Sequence, residues 1–193
     1  MTGLLESELT DLLGRFHAGH PAALGQAISL VEDERPGFQD FLHEVLGRGP
    51  SAARVGFTGP PGAGKSSLLS MVAMNCRAQD EKLGVVAVDP TSPYSGGALL
   101  GDRIRMSDLA TDPGVFIRSM ATRGSLGGLA TTTKEVLDLM DAFGFDRVLV
   151  ETVGVGQTEL GITAATDTVI VVLVPESGDA IQAMKAGLME IAD

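Results

Sequence analysis

Near the start of the chain, apolar residues recur at helical spacing. Leu4, Leu5, Leu9, Leu12, Leu13 and Phe16 form one stripe, and Pro21 opens a second that carries Ala23, Leu24, Ala27, Ile28 and Val31. A third, after Pro36, places Phe38, Phe41, Leu42, Val45 and Leu46 on one side and stops at Gly47. Residues 1–49 therefore read as a helical N-terminal extension.

From Ala53 the period changes. Residues 54–58 read as a short buried strand, and residues 65–77 as a helix with Leu68, Leu69, Val72, Ala73 and Cys76 on one side. An apolar run over 83–88 ends abruptly at Asp89-Pro90, and 115–120 and 147–151 are further strands separated by a helix bearing Leu129, Val136, Leu137, Met140 and Phe143. Residues 168–174 are nearly all β-branched, and Ile181, Met184, Leu188 and Ile191 mark a last amphipathic helix. Strands alternating with helices predict right-handed βαβ units, so residues 50–193 are expected to form an α/β domain with a mostly parallel sheet flanked by helices. The chain stops right after a crossover helix that should lead into another strand, and we expect the domain to be C-terminally incomplete.

Between the first strand and its helix lies Gly59-Pro60-Pro61-Gly62-Ala63-Gly64-Lys65-Ser66, followed by Ser67. This is the GxxxxGKS pattern of a P-loop. Its glycines let successive N–H groups face phosphate oxygens, Lys65 reaches the terminal phosphates, and Ser66 offers a hydroxyl to Mg²⁺. The strand before it and the helix after it supply the required context, with the helix dipole favouring phosphate.

Three acids fall near the expected carboxyl ends of strands or in a loop beside them. Asp89 suits Mg²⁺ or a water beside it, with a turn or cap before Pro90 as the lesser reading. Asp102 sits in the glycine-rich stretch 91–106, the length of a mobile loop over a site, where it either meets Mg²⁺ or pairs with Arg103 or Arg105 in solvent. Glu151 ends an apolar strand and is followed by the glycine-rich turn 152–157, whose Gln157 is placed to orient water. Arg123, in the loop 122–128, either meets phosphate charge or is solvated.

Composition narrows the chemistry. The net charge of −11 opposes a broad grip on nucleic acid or an anionic membrane, so a nucleotide must be held by local devices. No apolar run is long enough to span a membrane, residues 1–11 lack a signal-peptide pattern, and a single cysteine, Cys76, fits a reducing, cytoplasmic setting. His17, His20 and His43 are scattered without ligand spacing and read as surface or capping residues.

Four segments, GPPGAGKSS at 59–67, VDPTSPYSGGALLGDRIRM at 88–106, RGSLGGLA at 123–130 and ETVGVGQTE at 151–159, resemble the MeaB/ArgK family of P-loop GTPases. Members of that family are chaperones of adenosylcobalamin-dependent acyl-CoA mutases. The resemblance implies hydrolysis of GTP to GDP and phosphate with Mg²⁺, and a partner such as methylmalonyl-CoA mutase. It makes Lys65 the phosphate lysine, Ser66 the Mg²⁺ hydroxyl, and Asp89, Asp102 and Glu151 the acids of the metal and hydrolytic centre. The family continues into an NKxD-type guanine-recognition motif and a C-terminal dimerisation segment, and neither occurs in this sequence. Guanine choice and the family's homodimer are thus inherited expectations, and this stretch by itself is open to being a monomer. Two other readings stand beside it. A nickel-delivery maturation GTPase shares the layout but wants a His or Cys cluster, and a nucleotide-sensing module would bind without significant turnover.

Overall fold

The computed structural model describes residues 2–47, 52–89, 107–121, 131–152, 161–175 and 189–193. Three helices come first, α1 (Thr2–His17), α2 (Pro21–Glu32) and α3 (Phe38–Val45). They are followed by β1 (Ala53–Thr58), α4 (Lys65–Arg77), β2 (Leu83–Asp89), a one-turn α5 (Ser107–Ala110), β3 (Val115–Ala121), α6 (Thr131–Phe143), β4 (Arg147–Thr152), a 3₁₀ turn (Ile162–Ala164) and β5 (Thr168–Val171). The five strands form one sheet in the order β3-β2-β4-β1-β5, with every pairing parallel. This is the expected α/β layout. Two details differ: β5 is shorter than the β-branched run 168–174, and the 3₁₀ turn and α5 carry no periodic signal. The helix expected through Ile181 and Leu188 falls largely outside the described residues.

Side chains alternate across each strand, so the sheet buries two separate apolar faces. One face packs Phe57, Val85 and Leu149 against Leu69, Ala73 and Cys76 of α4 and Leu109 of α5. The opposite face joins Val86, Val88, Val148 and Val150 to Val136, Leu137 and Met140 of α6, and then to Phe16, Leu24, Ile28 and Phe41 of α1–α3 in one continuous cluster. Phe16 is the hub of the helical side, meeting Phe41 and Phe143 edge to face at centroid distances of 5.8 and 5.2 Å. Each such fully buried ring or branched chain contributes on the order of 2 kcal/mol of transfer free energy. Arg118 of β3 reaches α2, pairing with Glu32 and donating to the Ser29 hydroxyl at 3.3 Å, which ties the helical layer to the sheet.

Ion pairs pin the opposite, amino-terminal edge of the sheet. Arg54, at the start of β1, lies 2.8 Å from Asp138 and 3.0 Å from Asp141 of α6, and Asp141 also accepts the Ala52 N–H at 2.9 Å. Burial works against the Arg54 charge, but the two carboxylates outweigh it and hold the guanidinium above its ordinary value. At the start of β4, Arg147 makes a two-pronged bond to Glu81, at 2.8 and 3.0 Å, which holds the Glu81 carboxyl below its usual range. Cys76 sits beside this pair and is buried, which pushes its thiol up; it packs, as its place in the helix stripe suggested.

Asp141→Ala removes a carboxylate from a buried cation and strands the Ala52 N–H, so it is expected to cost about 3 kcal/mol in urea unfolding, while Asp141→Asn, which keeps an acceptor, costs less. Equal losses would show that the charge contributes nothing. The lowered Glu81 carboxyl contributes stability that is present above its ordinary value of 4.5 and is lost as pH falls through the lowered one. Glu81→Gln should therefore flatten the acid limb of the Tm profile below about pH 4.5 and leave the profile above pH 6 parallel to that of the unsubstituted protein.

Candidate nucleotide site

β1, β2 and β4 stop at the same edge of the sheet. Phe57 stands opposite Glu151 across the β1–β4 pairing, and Ala87 stands opposite Glu151 across the β2–β4 pairing. The loop 59–64 leaves β1 at this edge and turns directly into α4. A parallel sheet with its ligand-facing loops at the carboxyl ends of strands is the geometry that the P-loop pattern requires.

The loop has a buried base and an open rim. Gly59 and Pro60 are buried, whereas Pro61, Gly62 and Gly64 are exposed and Ala63 is half-buried. Packing alone requires a glycine at position 59. It sits at φ 134°, and a Cβ there would lie 2.1 Å from the Val172 carbonyl oxygen, because β5 runs on past its last paired residue and Val172 donates its N–H to the Thr58 carbonyl at 2.8 Å. Gly64, at φ 94°, makes the left-handed step into α4, and nothing of the protein stands within 4 Å of where its Cβ would be.

Lys65 is the first residue of α4 and only 5% exposed. Its ammonium donates to the Gly59 carbonyl at 2.8 Å and the Pro60 carbonyl at 3.0 Å, so the side chain folds back along the loop it follows. The Ser66 hydroxyl donates to Glu151 Oε1 at 2.6 Å. Glu151 itself is 2% exposed. A buried carboxylate, a hydroxyl touching it and a lysine one residue away thus share one spot at the N-terminus of a helix, where the dipole favours anions. The donor set is all hard oxygen, which fits Mg²⁺ rather than a soft metal. Ser67 is exposed on the next position of α4.

The structure therefore brings Ser66 and Glu151 together, eighty-five residues apart in sequence, and sets Lys65 beside them. Asp89 is the last residue of β2, with its backbone opposite Ala121 of β3 and its preceding residue, Val88, opposite Thr152; its side chain lies outside the described residues. Asp102, Arg123 and Gln157 also lie outside them. His17, His20 and His43 are all exposed, and no group of three or more His, Cys, Asp or Glu among the described residues is arranged to hold a metal ion. No helix among the described residues is long and apolar enough to cross a membrane.

Sequence patterning does not single out Thr58 and Thr152. They are 0% and 2% exposed, and the Thr152 hydroxyl donates to Thr58 Oγ1 at 3.1 Å and lies 3.4 Å from the Phe57 carbonyl. The only signal is position: each is a threonine closing an apolar strand at the point where a glycine-rich loop begins.

Comparison with known proteins bears on the family and the fold. The family described as Methylmalonyl Co-A mutase-associated GTPase MeaB matches residues 24–193. A Pyrococcus abyssi relative is 51% identical over 185 residues, which is 96% of this chain and 57% of that protein. The GTPase ArgK of Escherichia coli is 41% identical over 192 residues, 97% of this chain and 58% of its own length. The mitochondrial methylmalonic aciduria type A homolog of Mus musculus is 39% identical, with 91% of this chain and 46% of that protein covered. Among solved structures, the LAO/AO transport system kinase superposes with a TM-score of 0.75 at 32% identity, covering 97% of this chain and 55% of that one. The hydrogenase maturation factor HypB from Archaeoglobus fulgidus, at 18% identity and a TM-score of 0.53 over 88% of this chain and 72% of that one, shares the fold. The chain spans a little over half the length of these Pyrococcus abyssi and Escherichia coli relatives. From the family match over residues 24–193, the chain belongs to the methylmalonyl Co-A mutase-associated GTPases, the MeaB family.

Proposed function

We propose that this chain is the nucleotide-binding core of a GTPase that converts GTP to GDP and phosphate and, through the nucleotide-dependent state of its loops, serves an adenosylcobalamin-dependent acyl-CoA mutase such as methylmalonyl-CoA mutase. The observation that carries the reading is the 2.6 Å bond from Ser66 to the buried Glu151 at the head of the helix that Lys65 begins. A serine of a P-loop on a strand-end carboxylate is the pair that a magnesium nucleotide needs, and family membership supports guanine as the base and a mutase as the partner class.

Phosphoryl transfer asks little covalent chemistry of the protein, so the roles are mostly of position and charge. Lys65, already tethered to two loop carbonyls, is held where its charge can face the β- and γ-phosphates. The backbone N–H groups from Gly62 to Ser67 would cradle the phosphate oxygens, Pro60 and Pro61 having none to offer. Mg²⁺, when bound, would be held by Ser66 and Glu151, with Asp89 and Asp102 as further acids, and it supplies neutralisation of charge on the phosphates. Glu151 and Gln157 place the attacking water. Burial matters here because it removes the screening that would weaken the lysine and the carboxylate alike.

Lys65→Ala is expected to reduce GTP turnover by at least roughly a hundredfold while leaving the circular dichroism and Tm near those of the unsubstituted protein. Undiminished phosphate release would remove Lys65, and with it this site, from the reaction. The mutase coupling has its own test. Adding an adenosylcobalamin-dependent acyl-CoA mutase should raise the steady-state rate of GTP hydrolysis, and the same rate with and without the mutase would leave a GTPase with some other client.

A further inference from the structure

The β1–β4 pairing runs in register from Ala53 opposite Arg147 to Phe57 opposite Glu151. One step further, where Thr58 would face Thr152, the two strands are joined by side chains: the Thr152 hydroxyl donates to Thr58 Oγ1 at 3.1 Å and stands 3.4 Å from the Phe57 carbonyl. Both threonines are buried, at 0% and 2% exposure, and the other buried polar side chains of the two strands, Arg54 and Glu151, have charged or hydroxyl partners that account for them. Valine has the same shape and would fill the space without a polar group to satisfy. Packing alone therefore gives no reason for two hydroxyls.

Their position does. Thr58 is the residue before Gly59, where the cradle begins, and Thr152 is the residue after Glu151, where the β4 chain leaves the sheet. Side chains alternate, so Glu151 and Phe57 face α4 while Thr152 and Thr58 face the other way. A bond on the back of the rung thus fixes how far the last residue of each strand can twist or slide, and with it where the Glu151 carboxylate on the front meets Ser66. We propose that Thr58 and Thr152 are a pair of positioning residues for hydrolysis: their hydroxyl bond holds the exit of β4 against the entrance of the phosphate loop and so sets the Glu151 carboxylate relative to Ser66 and Lys65. The inference rests on the catalytic reading of Glu151 given above.

The test is steady-state GTP hydrolysis by Thr152→Val, Thr58→Val, the double variant and Thr152→Ser, with Glu151→Gln as reference. Each valine variant should lower kcat about tenfold, as a small misplacement of a catalytic group does, with KM for GTP within about twofold of that of the unsubstituted protein. The double variant should fall no further than either single one, since both remove the same bond, and Thr152→Ser should restore most of kcat. If Glu151→Gln is impaired while the valine variants keep full kcat, the positioning role is overturned and the catalytic reading stands. If the valine variants lose kcat only together with a raised KM and a lowered Tm, and serine does not restore it, the threonines are structural and the inference is again overturned. Full activity in Glu151→Gln would overturn the catalytic reading itself, and the inference with it.

Discussion

The register of β1 on β4 is the constraint on which the rest of the site depends. With Phe57 opposite Glu151, the carboxylate emerges on the face covered by α4 and meets Ser66 in that helix's first turn. Because the side-chain period is two, a slip of one residue would turn Glu151 onto the opposite face and bring Thr152 to the serine instead. What prevents the slip is mostly apolar. Leu149 and Phe57 must face α4, while Val148 and Val150 must face α6, and neither set can exchange sides without exposing or crowding its neighbours.

That register is held at both ends of the strands by different means. At the amino-terminal edge, Arg54 with Asp138 and Asp141, and Arg147 with Glu81, anchor the starts of β1 and β4 to helices and turns. At the carboxyl edge the chain must leave room for a ligand, so pairing gives way to close backbone packing. The Val172 carbonyl against Gly59 fixes the base of the cradle from the β5 side, and the rim from Pro61 to Gly64 stays clear of the core. A rigid base under an open rim is what a phosphate site needs, since the amides must be aimed before the ligand arrives. The helices α1–α3 extend this support. Their aromatic cluster backs α6, and the Arg118 pair with Glu32 fastens α2 to β3, the strand that leads into residues 122–130.

Much of this was legible in the sequence, for identifiable reasons. The GxxxxGKS pattern lies between a strand and a helix because both are short, strongly patterned elements whose chemistry is local. Glu151 was legible because an acid closing an apolar run stands out against Val148, Leu149 and Val150. What sequence could not give was adjacency. Nothing in residues 53–58 says that β4 rather than β2 lies beside β1, so the contact of Ser66 with Glu151 follows only from the strand order. Gly59 shows the same limit. The pattern assigns that glycine to phosphate, and the structure adds a carbonyl of another strand at 2.1 Å from any Cβ placed there. Arg118 was invisible for a related reason: a charged residue inside a strand has no meaning until its partner helix is known.

The distribution of charge bears on how hydrolysis can be assisted. Among the described residues, Arg15, Arg35, Arg54, Arg77, Arg118 and Arg147 all lie in ion pairs with acids. Arg54, Arg77, Arg118 and Arg147 hold elements together in part-buried pairs, and drawing one toward a γ-phosphate would uncover a carboxylate and cost stability, whereas Arg15 and Arg35 pair locally at the surface. The net charge of −11 makes a long-range pull on the nucleotide unfavourable as well. On the proposed reading, positive potential at the phosphates would come from local sources: Lys65 on its two carbonyls, the amides at the start of α4, and, when bound, a divalent cation held by Ser66 and Glu151. These groups would hold a triphosphate, and the described residues would leave no arginine to spare for charge that develops only in the transition state. A partner that accelerates the proposed reaction would act on that missing contribution by supplying charge.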